Sequence, residues 1–220
     1  MTTRLRTSLL AAATAVLLAL PAADASAAGC SKSGYKTLDQ SKYIVLQRGP
    51  VPKGDSTSDY GFYACRIRNG KRYTLGGQEC FGNDLGRIGD YALAGNFIAY
   101  ERYVCGLAEG EAKAESLNVA TGKKAKYEAE QGPLDGTDGL MTDYSITDIV
   151  ITSKGNMAWI AFLKHNQNGQ TRYDVRRAID GTADRVDFGP NIVADSLGYS
   201  SGNIFWLNGN VAKSASLPTN

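Results

Sequence analysis

"GNMAWIAF", residues 155–162, decides how this chain folds. Gly155-Asn156 is a tight-turn dipeptide, and six apolar residues follow it. Met157 and Trp159 fall on one alternating face, Ala158 and Ile160 on the other, so both faces of the stretch are apolar. A strand of that kind belongs inside a sheet that is covered on both sides.

The motif recurs. "GNFIAYE" begins at 95 and "GNIFWLN" at 202, and an Asp with a short alternating segment precedes each copy: "DYALAGN" from 90, "DIVITSKGN" from 148, "DSLGYSSGN" from 195. Alternation suits a strand, Gly-Asn turns the chain, and the apolar run suits a second strand. Hairpins follow around Gly70, Gly122 and Gly181, and the tail turns in a similar way at Gly209. "LDQSKYIVLQRG", 38–49, is a worn first copy with Ser41-Lys42 in place of Gly-Asn. The pattern predicts roughly 15 strands in about four units and no helix.

"ITSKGNMAWIAF" together with "YDVRRAIDGTADRVDFG" resembles the repeat of TolB-like and WD40-like propellers, and "LNVATGKKAKY" is similar to its second half. Thr152-Ser153-Lys154 stands where that repeat has Ser-Pro-Asp, and the chain has no Trp-Asp pair. The resemblance implies an all-β fold, a small or incomplete β-propeller of about four blade-like antiparallel repeats in one domain, 29–220. Trp159 and Trp206 are then packing residues between blades. Propellers host enzymes and binding proteins alike, so the resemblance speaks to architecture.

Residues 1–28 read as a signal peptide: Arg4 and Arg6, a stretch from Leu9 to Leu20 that is apolar apart from Thr14, Pro21, and the small residues Ala25-Ser26-Ala27. A membrane-spanning helix needs about 20 apolar residues, so no membrane insertion is expected. Export also suits an even set of cysteines, Cys30, Cys65, Cys80 and Cys105. "AAGC", 27–30, is similar to the end of a lipoprotein cleavage box, and a lipid anchor on Cys30 is the minor alternative to free secretion. Ala27 stands where such a box begins with a large aliphatic residue, and lipidation would leave an odd thiol.

The leader holds two Arg and one Asp, so the formal charge of +2 becomes +1 without it. That balance excludes an electrostatic trap for nucleic acid. "CRIRNGKRY", 65–73, and "RYDVRR", 172–177, alternate charge with apolar residues and read as edge strands with one wet face.

Catalytic chemistry has little to stand on. His165 is the single histidine, in a polar loop-like setting, and no Gly-x-Ser-x-Gly elbow accompanies it. The cysteines lack Cys-x-x-Cys spacing, and no glycine-rich loop opens a helix. "GPLDGTDGLMTDYSITD", 132–148, carries Asp135, Asp138, Asp143 and Asp148, but neither the spacing nor the closing Glu of an EF-hand loop. No catalytic residue, metal ligand or cofactor is therefore assigned.

In a four-stranded blade the first-to-second and third-to-fourth connections share one end. Here those are short, whereas 49–59, 77–89, 106–114, 164–170 and the Asp-rich stretch are long and gather at the other end. Long loops on a rigid scaffold are where binding residues collect. The expectation is a secreted, monomeric, non-enzymatic module for an extracellular protein or glycan, the alternative being a polysaccharide hydrolase or lyase that uses loop carboxylates. The same register pairs Cys80–Cys105 and Cys30–Cys65, and "SGYKTL", 33–38, is expected to close the last, shorter unit.

Overall fold

The computed structural model describes residues 29–53, 58–78, 86–105, 110–128, 141–165 and 171–219. They form an all-β structure of antiparallel meanders, with no α-helix among them. The first unit is β1 (Lys36–Gln40), β2 (Ile44–Gly49), β3 (Gly61–Arg66) and β4 (Arg72–Gly77). The second is β5 (Arg87–Ala94), β6 (Phe97–Cys105), β7 (Gly110–Asn118) and β8 (Lys124–Glu128). The third is β9 (Met141–Ile151), β10 (Met157–His165), β11 (Thr171–Ile179) and β12 (Thr182–Gly189). The last holds three strands, β13 (Gly198–Ser200), β14 (Asn203–Asn208) and β15 (Val211–Ser216).

Gly-Asn turns open the second strand of the last three units. Gly95, Gly155 and Gly202 all have positive φ, which an L side chain rarely adopts. At Gly155 space is also closed, because a Cβ there would lie 2.5 Å from the Phe97 ring. Asn156 is buried beside it and ties three segments together. Its Oδ1 accepts the Asp180 amide at 3.0 Å and its Nδ2 donates to the Pro218 carbonyl at 2.9 Å.

The units pack face to face. Ile44, Leu46, Ala64 and Leu75 of the first meet Ile98, Tyr100 and Leu117 of the second. Ala99, Ala112 and Ala114 on the opposite face of the second unit meet Met157, Trp159, Ala161 and Leu163 of the third. Ala158, Ile160 and Val175 then meet Ile204, Trp206 and Leu217 of the last. β10 is buried on both faces, and Trp159 and Trp206 pack between units. Trp159 stacks on Tyr127 with centroids 5.9 Å apart. Full burial of each such side chain is worth about 1.5–3 kcal/mol.

Several expectations change. β4 and β5 meet through one parallel bridge, Gly77 opposite Arg87, so the first two units are one eight-stranded sheet. The sheets are open among the described residues. Residues 33–38 do not close the last unit: Lys36 and Thr37 pair with Arg48 and Gln47, and β1 belongs to the first sheet. Gly209 joins a second strand to a third, whereas Gly70, Gly122 and Gly181 join thirds to fourths. "RYDVRR" is no edge: β11 is paired on both sides, Asp174 is fully buried and Arg176 is 2% exposed. Of "CRIRNGKRY", Cys65 and Arg66 end β3, an interior strand, whereas Arg72 and Tyr73 lie on β4, which meets β5 at Gly77 alone.

Candidate functional site

Cys30 is bonded to Cys65, which fixes the segment before β1 on the outer face of the first unit. The clamp has a polar half as well. Gln47, 2% exposed, donates from Nε2 to the Cys30 carbonyl at 3.0 Å and accepts Arg72 Nε at 3.1 Å. Arg72 also donates to the Cys30 carbonyl and lies 4.6 Å from the Tyr35 ring centroid.

This clamp seats Tyr35 against the end of the unit where β2 leaves and β3 returns. Tyr35 meets Tyr63 edge-on at 5.2 Å, and Tyr60 meets Phe62 edge-on at 5.5 Å. The register of β2 and β3 sets Arg48 opposite Phe62, which carries the guanidinium to 5.0 Å from the Tyr60 ring. Between them lies a shallow, open cleft of about 480 Å³, lined by Tyr35, Lys36, Arg48, Pro50, Asp59 and Tyr60. Tyr63 holds one wall from behind by donating its hydroxyl to the Pro50 carbonyl; burial, then neighbouring Tyr35, raises the Tyr63 pKa. Tyrosine faces and flanking cations suit recognition by stacking and charge-assisted hydrogen bonding. The long connection 50–60 thus brings at least Pro50, Asp59 and Tyr60 to one place.

A second group is acidic. The aspartates that open the repeats fall at equivalent places: Asp39, Asp90 and Asp148 on the first strands of their units and Asp195 just before β13. Burial raises the Asp90 pKa, with Asp195 adding to it. Asp148 is raised by burial, held back by the Leu197 and Ile149 amides, and pushed further by Asp195 and Asp90. Glu101, 3% exposed, is raised by burial against the pull of the Ile146 amide and Arg87. Its carboxylate fits because residue 89 is glycine: a Cβ there would lie 1.7 Å from Glu101 Oε2.

Two of these carboxylates staple one unit to the next. Glu101 accepts the Ile146 amide at 2.8 Å, second unit to third. Asp148 accepts the Leu197 amide at 2.8 Å, third unit to last. Further buried charges went unread in the sequence. Glu115, fully buried, accepts the Tyr100 hydroxyl at 2.7 Å and pairs with Arg102 at 3.3 Å and Lys126 at 3.5 Å. Asp174 lies 3.6 Å from Arg172 and 3.5 Å from Arg185. Cation and carboxylate alternating along adjacent strands were the available signal.

Of the residues weighed in the sequence, His165 ends β10 and Asp143 lies in β9. Asp135, Asp138 and Cys80 lie outside the described residues, and with Cys80 the Cys80–Cys105 pairing. Among the described residues no group of three or more His, Cys, Asp or Glu is placed to hold a metal ion.

No protein-family model matches the chain, and no curated protein matches it. Among solved structures it is similar to Trypanosoma rangeli sialidase, at 12% identity over 80% of this chain and 35% of that one, with a TM-score of 0.41. A mutant of that sialidase displaying trans-sialidase activity gives 11%, 80%, 33% and 0.41. The apo AtxE2 isopeptidase gives 8%, 81%, 39% and a TM-score of 0.23. The chain thus spans 33–39% of the length of these structures.

Proposed function

We propose that this protein is an exported, non-enzymatic binding module, and that its four units are blades of a small, open propeller. It holds an extracellular protein or glycan at the end where the long connections gather. The observation that supports this reading is the cleft in which Tyr35, Tyr60 and Arg48 are set on a disulfide-clamped unit. Tyrosine and arginine dominate binding surfaces because they offer large contact area with a polar tip. The reading carries with it a monomer, no cofactor and no nucleic-acid partner.

The test is equilibrium binding of the exported chain to neutral, carboxylated and sulfated extracellular polysaccharides and to proteins purified from the growth medium. Tyr60→Ala and Arg48→Ala should each weaken the bound species tenfold or more, a loss of about 1.4 kcal/mol or greater. Unchanged affinity in both variants would remove the cleft from the account.

A hydrolase or lyase is the second reading, and the raised pKa values of Asp90, Asp148 and Glu101 favour it, since acid–base work needs such carboxylates. Against it, Glu101 and Asp148 already hold backbone amides of neighbouring units. New reducing ends or unsaturated sugars appearing in those polysaccharide incubations, and lost in Asp90→Asn, would establish it.

A further inference from the structure

Lys36 on β1 stands directly opposite Arg48 on β2, and both line the cleft of the first unit. Residues opposite each other in an antiparallel ladder share a face, with Cβ atoms about 4.5–5.5 Å apart, and like charges placed so destabilise the sheet. Two other cation pairs stand opposite each other among the described residues, and carboxylates neutralise both. Arg102 faces Lys113, with Glu115 at 3.3 Å from the first and Glu128 at 3.4 Å from the second. Arg176 faces Arg185, which lies 3.5 Å from Asp174. Lys36 and Arg48 have no such neighbour. Among the described residues neither is in an ion pair, and Asp59, the acidic residue that lines the cleft with them, pairs with neither.

The surroundings add to the positive charge. Lys32 lies 5.5 Å and Arg72 4.6 Å from the centroid of the Tyr35 ring. Arg72 spends its donors on Gln47 and the Cys30 carbonyl. Arg48, by contrast, is held only by the Tyr60 ring at 5.0 Å, a contact that leaves the fork of N–H donors in the guanidinium plane available. Such a fork matches the two oxygens of a carboxylate, and Lys36 beside it supplies a second charge.

The shape of the cleft selects the carrier of that carboxylate. A flexible acidic peptide loses conformational entropy at each residue it orders, and a shallow, open cleft has no deep pocket in which an anchoring side chain could offset the loss. A chain of pyranose rings is stiff before it binds, and its ring faces suit Tyr60 and Pro50.

Given the reading of this cleft as the binding site, we propose that its occupant is a carboxylated polysaccharide, one uronate of which seats its carboxylate between Arg48 and Lys36.

Residues 29–220 are titrated with polygalacturonate and polymannuronate, with the methyl esters of both, and with dextran, dextran sulfate and polyglutamate. At least one polyuronate should bind saturably, and roughly tenfold or more tightly than its methyl ester, the sulfated chain or polyglutamate. Lys36→Glu should weaken that binding by a similar factor while melting no lower than the native chain, because it turns a repulsive cross-strand pair into an attractive one. A lysine kept for the fold alone would leave binding unmoved. Arg48→Lys, which keeps the charge and gives up the fork, should weaken the polyuronate as well, and less than Arg48→Ala does. Absence of polyuronate binding, equal binding of the ester, the sulfated chain or polyglutamate, or indifference to Lys36→Glu would overturn the proposal. So would a neutral glycan or a protein of the growth medium that binds more tightly, is weakened by Tyr60→Ala and ignores Lys36→Glu; that result removes the carboxylate and keeps the cleft. If no binder responds to Tyr60→Ala or to Arg48→Ala, the cleft itself falls, and this proposal with it.

Discussion

At the residue scale, Glu101 and Trp159 carry most of the explanation. Glu101 receives the Ile146 amide where the second and third units meet. Glu101→Gln keeps an acceptor there, while Glu101→Ala leaves a buried amide unpaired at a cost of about 1–3 kcal/mol. The pH dependence has a definite sign. Because the folded pKa of Glu101 lies above its unfolded value, the native state binds more protons between the two. Stability therefore falls as pH rises through that window, and Asp90 and Asp148 act in the same direction. Thermal melts from the ordinary carboxylate range toward neutrality should show that fall in the native chain and a shallower one in Glu101→Gln. A rise across the window would contradict it. Trp159→Ala removes a fully buried ring stacked on Tyr127 and should cost about 3–5 kcal/mol by denaturant unfolding. A cost under 1 kcal/mol would mean that the interface repacks without it.

The turn and the doubly buried strand at 155–162 were legible because period-2 apolar alternation and Gly-Asn each have a single physical reading. Glu115, Asp174 and Arg176 were not, because a charge within a strand reads as a wet face unless the opposite strand is known. Arg176 is buried by its place on an interior strand and by the Trp159 ring, 5.6 Å away, and neither is local in sequence. The cleft was half legible. That the connection read as 49–59 is long could be seen directly; that it meets Tyr35 depends on the Cys30–Cys65 bond and the β2–β3 register.

At the scale of elements, that bond is the clearest object for measurement. It closes a separation of 35 residues, for which the chain-entropy relation gives about 3.8 kcal/mol. Set against a total of about 5–15 kcal/mol, its loss is a large fraction of the stability. Cys30→Ser with Cys65→Ser should lower the melting temperature by roughly 8–15 °C at about 2–4 °C per kcal/mol. The same variant should weaken cleft binding, since the segment bearing Tyr35 is no longer held. A double variant that melts like the native chain would show that Gln47 and Arg72 hold the segment unaided. The tight connection at Gly209 is a different lesson. Its two residues look like any hairpin turn, and only strand counting shows that it joins a second strand to a third, the place where the first unit has the long connection 50–60.

At the scale of the molecule, four meanders stack face to face, and their two ends differ. The first unit has its outer face covered by its own clamped segment, whereas the last leaves Phe205 and Leu207 exposed, at 43% and 40%, and among the described residues the outer edge of β15 is unpaired. Hydrogen exchange on residues 29–220, free and saturated with the tightest binder from the polysaccharide and medium-protein panel, locates the binding surface directly. The account predicts added protection at residues 48–50 and 60–62, with β15 exchanging as before. Protection confined to β15, or none at 48–50 and 60–62, would contradict the central claim that this protein binds through the cleft of its first unit.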